Sequence, residues 1–135
     1  MKTGKKSWRE KLEGVHDWKI VDGGPRSPGL LLVPTPKQVD AIIREIPPGA
    51  VSSVKLIRRA LARRLGAEST CPLCTGIFIR IAAEVADEER ASGNEWVTPY
   101  WRVVDGRGKH MPKLPGGREG QASLLQAEVD AALSR

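Results

Sequence analysis

Residues 96–117, "WVTPYWRVVDGRGKHMPKLPGG", carry the reading of the fold. A proline, two large aromatics and an arginine stand together at Pro99–Arg102, in a chain with only 4% aromatic residues, so composition alone does not produce the run. Valines follow at 103 and 104, then a glycine-bearing turn, then Pro-Gly-Gly at 115–117. Read locally, Trp101–Val104 is a strand and "DGRG" turns it back, a small hairpin-like wing.

The segments before this stretch read as helices. In "TPKQVDAIIREIPPG", Thr35 is an N-cap and Pro36 suits the first helical position. Val39, Ile42, Ile43 and Ile46 share one face, and Pro47, Pro48 and Gly49 stop the helix. In "SSVKLIRRALARRLG", Ser53 caps, Gly66 terminates, and Val54, Ile57, Leu61 and Leu65 form the apolar stripe. Its other side holds Lys55, Arg58, Arg59, Arg63 and Arg64 with no acid among them, read either as a binding face or as a solvated one. "STCPLCTGIFIRIAAEVADEERASGN" is a third helix, with Ile77, Phe78, Ile81 and Val85 as its apolar side, an acidic later part (Glu84, Asp87, Glu88, Glu89) and Gly93 at its close. "REGQASLLQAEVDAALSR" is a last helix with Leu125, Val129 and Leu133 inward. Residues 1–34 read as an N-terminal arm, with a short helix capped by Ser7 and a possible strand at Leu30–Val33. The expected fold is mainly α with a small β wing: a winged helix-turn-helix over residues 35–135.

A length of 135 residues suits one domain and one core. No apolar run approaches the roughly 20 residues of a membrane helix. The basic N-terminus lacks the apolar segment of a secretory signal, so a cytoplasmic monomer with no membrane partner is expected. The net charge of +6 favours an anionic partner, nucleic acid first. Cys71 and Cys74, the only cysteines, cannot build a disulfide framework. They read as two small core-facing residues, or as a displaced alkyl acceptor or redox pair at a helix start. The only histidines, His16 and His110, are distant, so no metal and no cofactor is expected.

"IPPGAVSSVKLIRRALARRLG", "TPYWRVVDGRGKHMPKLPGG" and the following "QASLLQAE" together resemble the DNA-binding domain of O6-alkylguanine-DNA alkyltransferases, over about residues 35–135. "TCPLCTGIF" with "TPYWR" resembles a bacterial branch of that family. Where the family has Pro-Cys-His-Arg-Val, this chain has Pro-Tyr-Trp-Arg-Val: Tyr100 stands at the alkyl-accepting cysteine and Trp101 at the histidine that assists it. A phenol of pKa near 10 with no base beside it is a poor alkyl acceptor, so no catalytic residue is assigned.

The resemblance implies an alkyltransferase-like protein that binds double-stranded DNA, recognises O6-alkylguanine or other damaged guanine by base flipping, and links to excision-repair proteins. The base pocket would comprise Thr98, Pro99, Tyr100, Trp101, Gly116 and Gly117. DNA contacts would come from Ser53, Lys55, Arg58, Arg59, Arg102 and the wing residues Arg107, Lys109 and Lys113, with Arg80 or Arg90 as the finger arginine; for Arg102 the alternative is that it hydrogen-bonds backbone carbonyls to hold the turn. Val54 stands at the place of the family's phosphate-rotating tyrosine. Two other classes remain: a thiol-dependent transferase or redox protein using Cys71 and Cys74, and a protein-interaction module that kept the fold without DNA binding.

Overall fold

The computed structural model describes residues 6–14, 17–105 and 108–134. The chain is mainly helical with a small three-stranded sheet. In order come α1 (Trp8–Glu13), β1 (Lys19–Asp22), β2 (Leu30–Val33), α2 (Pro36–Arg44), α3 (Val54–Leu65), β3 (Ser69–Thr70), α4 (Pro72–Ala91), two 3-10 turns (Tyr100–Arg102 and Met111–Lys113) and α5 (Gly117–Leu133).

The helix signals in the sequence act locally. Thr35 Oγ1 accepts from the Gln38 amide at 3.2 Å while Gln38 Oε1 accepts from the Thr35 amide at 3.0 Å, a reciprocal cap that fixes the start of α2. Ser53 Oγ accepts from the Leu56 amide at 3.1 Å to start α3, and Gly66 ends it with a left-handed φ of +82°. The apolar face of α2 (Val39, Ile42, Ile43) is buried against α4. There α4 presents Ala82, Ala83 and Ala86 with Ile79, and the small side chains let the two backbones approach closely.

The buried side of α4 differs from the expected stripe. Ile79 is fully buried, whereas Ile77 is 50% exposed. Spacing along α4 admits either residue as inward; the position of α2 decides between them. Phe78, Ile81 and Val85 instead meet Trp8 and Leu12 of α1, so the first helix of the arm covers a second side of α4. Two of the acids there have internal partners, Glu84 with Arg80 (3.6 Å) and Glu89 with Arg9 (2.8 Å).

The sheet is not where the valine pair suggested. β2 is central, antiparallel to β1 and parallel to β3. Amides of Glu68 and Cys71 donate to the carbonyls of Leu30 and Leu32 at 2.9 and 2.8 Å. The six residues between α3 and α4 therefore serve as an edge strand for the arm's hairpin. Trp101–Val104 is not a strand: Tyr100–Arg102 forms a 3-10 turn, and only Val103 makes a single bridge, to Ser52.

Arg102 accounts for that turn. Its Nε lies 3.0 Å from both carboxylate oxygens of Glu128 on α5, its NH1 donates to the Ile46 carbonyl at 2.6 Å, and its NH2 also donates to Glu128. The side chain is 11% exposed. An extended segment would send Tyr100 and Arg102 to the same side; a 3-10 turn separates them, the phenol into the core and the guanidinium toward α5.

In α5 the inward residues are Gln121 and, partly, Leu124. Leu125 and Val129 are half-buried, and Leu133, expected inward, is 80% exposed. Gln121 Nε2 donates to the carbonyls of Met111 and Gly117, both at 2.8 Å, joining the helix to the loop before it.

Two outcomes follow. Replacing Arg102 with Ala leaves a half-buried carboxylate without its partner and should cost about 2–3 kcal/mol in urea unfolding; the double change Arg102→Met with Glu128→Leu should cost less. Gly116 sits at φ +78°, and an added Cβ would lie 3.1 Å from the Gly120 Cα. Gly116→Ala should therefore destabilise by about 1–2 kcal/mol.

Candidate nucleic-acid interface

A groove of about 360 Å³ opens between the first half of α4, the first turn of α3 and the loop 108–114. Its floor is apolar: Leu73 and Ile77, one helical turn apart, are 71% and 50% exposed, and Gly76 between them adds no side chain. Its rim is cationic, with Arg80 from α4 and Lys109 and Lys113 from the loop. Lys55 follows Val54, another lining residue, and faces solvent at the start of α3.

The loop is shaped by Asp105. One carboxylate oxygen accepts from the amides of His110 and Met111, both at 2.9 Å, and the other pairs with Arg118 at 3.0 Å. Burial alone would push this carboxyl up, but those amides and the guanidinium hold it below the ordinary range. His110, also on the groove, has its pKa lowered chiefly by burial and further by Lys113, against the pull of Asp105; its Nε2 is buried without a partner. The loop thus presents its lysines on a fixed frame.

The other expected contact residues divide by exposure and partner. Ser53 is committed to capping α3. Arg58 Nε donates to the Thr70 carbonyl at 2.9 Å, while Thr70 Oγ1 returns a bond to the Arg58 carbonyl at 2.7 Å, so this arginine ties α3 to β3. Arg64 pairs with Glu45 through bonds of 2.6 and 2.5 Å. The α3 face is thus not five free cations: among the described residues Lys55, Arg59 and Arg63 form no ion pair. Lys55 and Arg59 line a shallow recess with Glu68 and Ser69. Arg90 lies 5.8 Å from the Trp101 ring, and Arg102 is internal. Arg107 and His16 lie outside the described residues.

The residues expected to form a base pocket are largely core. Tyr100 is 1% exposed and Thr98 2%, with the Thr98 hydroxyl donating to Asp40. Burial is the main reason the Tyr100 phenol lies above its ordinary pKa, with Asp87 adding to the rise and Arg90 opposing it. Trp101 packs edge-on to Tyr100 at 5.3 Å and is half-buried. Its Nε1 approaches Glu128 without meeting hydrogen-bond geometry. Gly116 and Gly117, both at positive φ, shape the entry to α5. A separate recess of about 330 Å³ carries Pro99 and Arg102 at its edge together with Trp96, which is 87% exposed. Leu73 was not singled out in the sequence, Trp96 was given no role in the site, and Ile77, read there as part of the inward stripe, is on the surface. For Ile77 the available signal was that α4 carries more apolar residues than one stripe can bury.

Comparison with known protein families, curated proteins and solved structures gives no match to this chain.

Two measurements check this geometry. Tyr100→Phe should change stability by less than about 1 kcal/mol, since packing dominates, whereas Tyr100→Ala should cost about 3–5 kcal/mol. Glu128 supplies a pH test. Burial opposes its ionisation, but hydrogen bonds from Arg102, and more weakly from the Gly49 amide, hold its carboxyl below the ordinary range. Its contribution to stability is complete above the unfolded-state pKa of about 4.3 and is lost as pH falls through the lower folded value. Chemical denaturation across pH 3–6 should show Glu128→Gln flattening the acid-side fall.

Proposed function

We propose that this chain is a non-catalytic DNA-binding protein of the alkyltransferase-like kind, with α3 and α4 as its helix-turn-helix and the loop 108–113 in the place of a wing. The observation that carries the reading is the groove on α4, with an apolar floor at Leu73 and Ile77 and a rim of Arg80, Lys109 and Lys113. Cations at the rim suit phosphates, and apolar side chains on the floor suit sugar edges in a minor groove. Recognition of alkylated guanine and a link to repair rest on the resemblance of residues 98–103 to the alkyltransferase run with its nucleophile replaced. With Tyr100 in the core, an extruded base would need the segment around Pro99 to open.

The test is a fluorescence titration into labelled duplexes, with and without one O6-methylguanine, at several salt concentrations. Four phosphate contacts, from Lys55, Arg80, Lys109 and Lys113, predict a slope of about −3.6 in log K against log salt. Lys109→Ala and Lys113→Ala should each reduce it by about 1. Absence of salt-sensitive duplex binding would refute the DNA reading. Equal affinity for the two duplexes would refute the lesion part alone.

A further inference from the structure

The two cysteines do not lie in the core. Both are half-buried, and neither belongs to an apolar cluster. They occupy the head of α4, where Cys71 is the N-cap residue and Cys74 the third helical position. Their Sγ atoms are 3.0 Å apart, and the Cys74 amide donates to Cys71 Sγ at 3.3 Å. A disulfide bond is about 2.05 Å long, so the sulfurs have about 1 Å left to close.

The frame around them is fixed. The Cys71 amide donates to the Leu32 carbonyl at 2.8 Å, and the Cys71 carbonyl accepts from the Thr75 hydroxyl at 2.7 Å and the Thr75 amide at 3.1 Å. Closure is therefore a matter of side-chain rotation rather than backbone rearrangement. Between the cysteines, Pro72 and Leu73 are exposed, which leaves the turn open to a reagent. Zinc is a poor alternative occupant: it takes four ligands, and among the described residues no group of three or more His, Cys, Asp or Glu gathers here.

We propose that Cys71 and Cys74 form a redox-active dithiol that undergoes thiol–disulfide exchange with a low-molecular-weight disulfide, Cys71 attacking and Cys74 resolving. The Cys71 thiolate attacks one sulfur of the disulfide RSSR, forming a mixed disulfide and expelling RS⁻. Cys74 gives its proton to the departing thiolate and attacks Cys71 Sγ, expelling the second RS⁻, which takes up the proton released when Cys71 ionised. The two thiols together lose two electrons and two protons, and RSSR becomes two RSH.

The order of attack follows from position. Cys71 Sγ sits at the N-cap and accepts the Cys74 amide, beside the exposed Pro72 and Leu73, whereas Cys74 lies inside the first helical turn. Burial, followed by its hydrogen bond to Cys71, pushes the Cys74 thiol up to about 11, which suits the second step. This site stands independently of DNA binding.

Glutathione disulfide is the probe, with intact-protein mass and free-thiol content as readouts. The wild-type chain should lose two hydrogens and both free thiols and retain no adduct, and a dithiol reductant should restore it. Cys74→Ser should trap glutathione on Cys71, and Cys71→Ser should acquire glutathione on Cys74 at least about tenfold more slowly. Circular dichroism confirms that each variant is folded, and the wild-type result depends on neither. A wild-type chain that accumulates glutathione adducts, or keeps both thiols, overturns the proposal. Equal trapping rates in the two folded variants overturn the assigned roles.

Discussion

Arg102 carries its charge into the interior, and segments remote in sequence meet on it. Its guanidinium binds Glu128 near the middle of α5 and the Ile46 carbonyl just beyond α2, while its own carbonyl accepts from the Ser52 amide at 2.7 Å, ahead of α3. A guanidinium largely withdrawn from water is tolerated best when its donors are met by a carboxylate and a carbonyl in good geometry. Meeting that requirement bends Tyr100–Arg102 into a 3-10 turn, sends Tyr100 inward and docks α5 on the rest of the chain. Glu128 also lies 3.4 Å from the Gly49 amide, which brings the turn after α2 into the same arrangement.

The same economy of donors sorts the basic surface. Four arginines become fasteners through their planar, multi-donor heads, Arg58 to Thr70, Arg64 to Glu45, Arg102 to Glu128 and Arg118 to Asp105, while Arg59 and Arg63 form no ion pair among the described residues. The lysines at 55, 109 and 113 form no ion pair among the described residues and stay on the surface. A guanidinium can hold a carbonyl and a carboxylate together, whereas an ammonium is a strongly hydrated point charge. A net charge of +6 thus translates into a smaller free cationic surface, of which Lys109 and Lys113 stand beside the apolar floor of α4.

The head of α4 joins several parts of the molecule. Cys71 is pinned to β2 through the Leu32 carbonyl, Thr70 to α3 through Arg58, and Leu73 lines the groove. Strand, thiol pair and groove therefore share one short junction.

The helices were legible in the sequence because their signals are local. Thr35 with Gln38, Ser53, Gly66 and Gly93 act within a turn of where they stand, and helical spacing marked Val39, Ile42, Ile57 and Leu61 as core. Lys109 and Lys113 could be named as candidate contacts from their place in the glycine-bearing turn, and Arg80, which pairs with Glu84, only through the family resemblance. What local signals cannot carry is the choice among apolar faces and the pairing of distant charges. Ile77 or Ile79, the turn at Tyr100, the burial of Arg102 and the strand at Ser69–Thr70 each depend on a partner dozens of residues away. The sequence alone determined where helices begin and end. Tertiary structure decided which faces they bury and which charges remain outside, because desolvation acts on the assembled surface and not on any segment of it.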